Sequence, residues 1–90
     1  MFLLIPTTRF KKDLKKFKAD FELIREFLKI LQAQGVLGIP QKMKPHLLKG
    51  NYKNNWECHI KPDLLIIWIQ IDESKEIKLV RIGSHSDLFK

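Results

Sequence analysis

Residues 56–71 read WECHIKPDLLIIWIQI, and their second half, Leu64 to Ile71, is the most apolar run in the chain. Its isoleucines favour an extended backbone, because a side chain branched at Cβ packs well on a pleated surface and loses rotamers in a helix. Apolar side chains at odd and even positions alike mark a strand covered on both faces. A membrane helix needs roughly 20 apolar residues; this run is far shorter and carries Gln70. The fold is therefore organised around an internal strand, with NWECHI beside it across the short turn KPD and antiparallel to it.

Alternation along WECHIK sends Trp56, Cys58 and Ile60 to one side and Glu57, His59 and Lys61 to the other. His59 should thus lie off the face that packs against helices. Beyond DESKE, the segment IKLVRIG reads as a third strand in which Lys78, Val80 and Ile82 separate from Ile77, Leu79 and Arg81. Whether Arg81 shares a face with His59 depends on register, which neither strand encodes alone, and a bulge would reverse the count.

Towards the N-terminus, Phe2 to Ile5 form a further short strand, followed by Pro6 and a possible cap at Thr7 or Thr8. In RFKKDLKKFK the apolar Phe10, Leu14 and Phe17 recur at helical steps, with lysines opposite. Asp20 is placed to cap a second helix, whose stripe of Phe21, Ile24, Phe27, Leu28 and Leu31 runs to Gly35. GVLGIPQKMKPH, with its glycines and prolines, is a connector. GSHSDLFK is a tail held down by Leu88 and Phe89. The expected architecture is α+β: one domain, 1–90, with an antiparallel sheet of about four strands and a helical hairpin on one face.

Seventeen Lys and Arg against ten Asp and Glu give a net charge of +7, which favours a polyanionic or acidic partner. The single cysteine, Cys58, cannot make an internal disulfide and reads as a small buried side chain in a reducing compartment. MFLLIP lacks the basic start of a signal peptide, so a soluble, cytoplasmic protein without membrane contact is expected.

The candidate chemistry gathers in the second half: His46, His59, Asp63 and His85, with Arg81. Asp63 follows Pro62 and serves either the turn or the orientation of a histidine or substrate. Imidazoles with an ordinary pKa of about 6.5 can accept one proton and donate another near neutrality. In RNA the nucleophile is the 2′-hydroxyl beside the phosphate, so a protein need supply only a base, an acid and fixed positive charge, with no metal and no cofactor. A planar guanidinium such as that of Arg81 suits the phosphate oxygens. Zinc is the opposing reading, but these residues lack the close histidine pair that marks such a site.

At these residues the chain resembles the YafQ branch of the RelE-like bacterial toxins, ribosome-dependent messenger-RNA endonucleases of type II toxin–antitoxin pairs. The resemblance rests on HLLKG (46–50), HIKPD (59–63) and GSHSDLF (83–89). It implies a microbial-RNase-like fold and a catalytic cluster of His46, His59, Asp63 and His85. It also implies phosphate contact and base placement at Arg81 and Phe89, and an antitoxin partner; Lys49 and Lys61, which spread positive charge around the histidines, are further candidate RNA contacts. Cleavage of messenger RNA in the ribosomal A site would leave a 2′,3′-cyclic phosphate and a 5′-hydroxyl. Many relatives carry tryptophan where this chain has Leu64, and proline after the first histidine where this chain has Pro45 before it. The alternative is a non-catalytic basic module that binds nucleic acid or an antitoxin, which would explain the charge but not the grouped titratable residues.

Overall fold

The structure, a computed structural model, describes residues 1–89. Its elements are β1 (Leu3–Pro6), α1 (Thr8–Leu14), α2 (Phe21–Gln34), β2 (His46–Leu47), β3 (Trp56–Lys61), β4 (Leu64–Ile71), β5 (Glu76–Gly83) and α3 (His85–Leu88). The sheet order is β1-β5-β4-β3-β2. The pairs from β2 to β5 are antiparallel, as short connections require, whereas β1 runs parallel to β5 because the helical segments carry the chain across first. The strand beyond the expected four is the two-residue β2, which takes His46 out of the connector and pairs it with Glu57.

Thr7 caps α1, its side-chain oxygen accepting the Phe10 N–H at 3.2 Å. The basic stretch is not one helix. It breaks at Leu14 into a 3₁₀ segment, Lys15–Asp20, with Phe17 at φ −121°, ψ 39°. Asp20 precedes α2 but makes no side-chain cap; its carboxylate accepts instead from Lys61 Nζ at 2.8 Å. At the other end of α2, Gly35 has φ 65°, and a Cβ there would meet the Gln70 amide nitrogen at 2.8 Å and the Phe2 ring at 2.9 Å. Gln70, the polar break in the apolar run, accepts from the Val36 N–H at 3.0 Å and so ties the end of α2 to β4.

The two faces of β4 are both covered, as its composition demanded. Leu64, Ile66 and Trp68 join Ile24, Phe27 and Leu31 of α2 and Phe10 of α1 in the main core. The Trp68 indole meets Phe27 edge-on at 6.1 Å between centroids and stacks on Trp56 at 6.5 Å. Each such side chain removed from water contributes about 1.5–3 kcal/mol. On the opposite face Leu65 and Ile67 pack with Leu88, Leu48, Tyr52 and Phe89. The tail is thus a short helix seated on the outer face. Ser84 and Asp87 form a reciprocal capping box at its start. Gly83 lets it come close, since a Cβ there would lie 3.2 Å from the Asp87 side chain. No helix of the described residues is long and apolar enough to cross a membrane.

Candidate active site

Residues opposite one another in antiparallel strands share a face. The register aligns His46 with Glu57, Glu57 with Ile67 and Ile67 with Arg81, one row across β2, β3, β4 and β5. The next row holds His59, Leu65 and Gly83. His59 therefore lies on the face away from α1 and α2, as alternation required. Arg81 lies on that face too, and not with Leu79, because a register shift between Ile67 and Trp68 leaves Val80 as an extra residue and resets the alternation.

A cleft of about 380 Å³ opens on this face, lined by His46, His59 and His85, with Glu57, Leu65 and Phe89 among its walls. Glu57 is only 4% exposed. Its Oε1 lies 3.4 Å from His46 Nε2 and 3.9 Å from His59 Nε2. A buried carboxylate requires such partners. His46 Nδ1 donates to the Lys44 carbonyl at 2.8 Å, and His59 Nδ1 to that of Pro62 at 3.3 Å. Each carbonyl can only accept, so it fixes the proton on Nδ1 and turns Nε2 towards the cleft. A proton carried on either Nε2 points at the same carboxylate oxygen.

His85 is held differently. It is the first residue of α3, and its ring touches Phe89 at 5.1 Å without a hydrogen bond to any described residue. Asp63 reaches it through the backbone: the carboxylate Oδ1 accepts the His85 N–H at 3.1 Å. From the β3–β4 turn, Asp63 therefore anchors the first turn of the helix that carries the imidazole. Asp63→Ala should slow any reaction at His85 by between about 10- and 100-fold, because misplacement by 1 Å is worth that much. Asp63→Asn, which keeps an acceptor oxygen, should restore most of the rate. Single-turnover rates for the pair decide it; equal loss in both would mean that the carboxylate's charge matters and its anchoring does not.

The expected phosphate contacts are placed unevenly. Phe89 is half-buried between His85 and Tyr52, whose ring it meets at 5.8 Å. Lys49 is exposed just before the Gly50–Tyr52 turn. Lys61 lies outside the cleft, paired with Asp20. The Arg81 guanidinium grips Asp13 of α1, Nε to Oδ2 at 2.7 Å and Nη2 to Oδ1 at 3.2 Å. This hydrogen-bonded carboxylate raises the guanidinium's pKa above its ordinary value against the opposing effect of burial. Burial, with the neighbouring charge of Glu57, pushes the Cys58 thiol up to about 12, so it is no nucleophile at neutral pH.

Residues 4–90 match the family described as bacterial toxin of type II toxin-antitoxin system, YafQ. The chain belongs to the YafQ family. It is 31% identical over 78 residues to the mRNA interferase toxin YafQ of Escherichia coli K12, a stretch covering 87% of this chain and 74% of that protein. Its fold is similar to that of a metal-bound toxin from Helicobacter pylori, with TM-score 0.84, 37% identity and coverage of 99% of this chain and 100% of that one. It also matches a chain of the DinJ–YafQ complex of E. coli at TM-score 0.81 and 27% identity, over the full length of both chains. Among the described residues no three His, Cys, Asp or Glu side chains are grouped to hold a metal ion.

Within this family frame, Leu64 is fully buried in the helix-side core. A side chain of any size at this position packs beneath the helices and does not line the cleft. Glu57 is the residue that motif reading missed. Its signal was available, since a carboxylate two positions before His59 on a strand shares that histidine's face.

Proposed function

We infer that this YafQ-family chain is an endoribonuclease that cleaves messenger RNA, the toxin of a type II pair neutralised by a protein antitoxin. The single observation that carries the reading is the cleft in which His46, His59 and His85 converge above a buried carboxylate. Its relatives support the reading: one is an mRNA interferase toxin, and another is a YafQ seen in complex with DinJ.

One imidazole takes the 2′-hydroxyl proton as the oxygen forms a bond to phosphorus. The P–O5′ bond breaks, and a second imidazole delivers a proton to the departing O5′, leaving a 2′,3′-cyclic phosphate and a 5′-hydroxyl. His85, whose ring nitrogens bond no other described residue, takes one role. His46 takes the other through Nε2, the nitrogen turned to the cleft, which Glu57 flanks at 3.4 Å while His59 shares that carboxylate. Asp63 positions His85, while Arg81 and Lys49 supply positive charge along the strand and Phe89 offers a surface for a base; Lys61, paired with Asp20, contributes little to that field. The ribosomal A site is the setting in which a messenger strand is presented to so small a cleft.

The test is end analysis of RNA incubated with the protein in two settings, on ribosomes in magnesium buffer and without ribosomes in EDTA. Cyclic-phosphate and 5′-hydroxyl ends are expected on ribosomes. Intact RNA in both settings, with salt-dependent binding retained, would instead identify a binding module.

A further inference from the structure

A second concavity, about 530 Å³, lies beside the catalytic cleft and shares His59 with it as a common wall. Leu23 of α2, Met43 and Ile60 line it with apolar surface. Leu23 is 40% exposed, although the helix to which it belongs has a well-filled core side. Lys42, Lys44 and Lys61 bring three cations to the same groove. Lys61 is neutralised by Asp20 at 2.8 Å. Lys42 and Lys44 are exposed and have no carboxylate partner among the described residues.

The groove is also joined to the cleft through the backbone. Lys44 is left-handed, at φ 55°, and this turn delivers its carbonyl to His46 Nδ1 while its side chain lines the groove. The segment that sets the orientation of His46 thus also carries the free charge next door.

We propose that this groove is a nucleotide subsite: it holds the RNA nucleotide next to the scissile phosphate, its phosphate on Lys42 and Lys44 and its base over Leu23 and Met43. The proposal rests on the endoribonuclease reading and adds to it the direction in which the strand leaves the cleft. An apolar floor with two unpaired cations at the rim matches a nucleotide, which is a flat apolar face joined to an anion. Continuity through His59 places that anion one step from the reacting phosphate.

The experiment uses a short 2′-O-methylated single strand, which retains phosphates and bases and lacks the nucleophile. Its affinity is measured against salt for the parent, for Lys42→Gln/Lys44→Gln, and for Lys11→Gln/Lys12→Gln, a pair of exposed α1 lysines that removes the same charge elsewhere. Two lost phosphate contacts on a single strand flatten the slope of log K against log salt by about 1.4. The parent's advantage over the groove variant is then about sevenfold greater in 50 mM than in 200 mM salt. That flattening in the groove pair, and its absence in the α1 pair, is the expected result. Equal slopes for both pairs, or no change in either, overturns the subsite in favour of a diffuse positive field. An acidic peptide such as oligoglutamate that loses binding to the groove variant, while the oligonucleotide does not, assigns the groove to a protein partner and also overturns it. Because nothing is cleaved, the outcome is independent of the end analysis above: a failed subsite leaves the nuclease reading standing, and absent cleavage leaves the slopes interpretable.

Discussion

Replacing His85 by alanine should lower single-turnover cleavage by ~10²–10⁴-fold, the usual worth of a positioned proton-transfer group, and leave thermal stability within experimental error. The separation of the two effects follows from how the residue is held. His85 is exposed, its ring leans only on Phe89, and α3 is fixed by the Ser84–Asp87 capping box and by Leu88, not by the imidazole. His46→Ala or His59→Ala is a less clean test, because each also strips a partner from the buried Glu57 carboxylate. Those two variants should lose stability together with rate. A His85→Ala rate within threefold of the parent, at an unchanged unfolding midpoint, would move proton transfer to the His46–Glu57–His59 group.

The central strand and its neighbour were legible because their signals are local. Branched side chains, a two-residue period and short turns are written in consecutive letters, and they sufficed to put His59 on the outer face. Three features were hidden for a common reason. The bulge that leaves Val80 extra and carries Arg81 to the cleft face is a property of two strands together. The two-residue β2 exists only because β3 is there to pair with it. The diversion of Asp20 from helix cap to Lys61 depends on a strand 41 positions away. The tail helix differs from these, since Ser84-His85-Ser86-Asp87 is a capping-box pattern readable from the sequence. The motifs named the three histidines; alternation within β3 put Glu57 beside His59, whereas its place next to His46 came from cross-strand alignment.

Asp13, the lone acid in a stretch dominated by lysine, is the second site at which a large effect is expected. It is 4% exposed and accepts three hydrogen bonds, two from the Arg81 guanidinium and one from the Ile82 N–H at 3.2 Å. The last of these matters for the sheet. β1 pairs with β5 only as far as Leu79, so Asp13 satisfies the edge of β5 that β1 no longer covers. Asp13→Ala takes the carboxylate from a largely buried cation, which keeps only its Tyr52 contact, and leaves a buried backbone N–H without a partner; the change should cost about 3–5 kcal/mol in urea unfolding. Against a total stability of about 5–15 kcal/mol, the variant approaches the unfolded state at ordinary temperature. Adding Arg81→Met should recover most of the loss, because the uncompensated charge goes and only the N–H penalty stays. A loss below about 1 kcal/mol in the single variant would show that solvent already screens the pair. The double variant also separates the two roles of Arg81: if it regains stability but not cleavage, the guanidinium contributes positive charge to the reacting phosphate as well as holding α1 on the sheet edge.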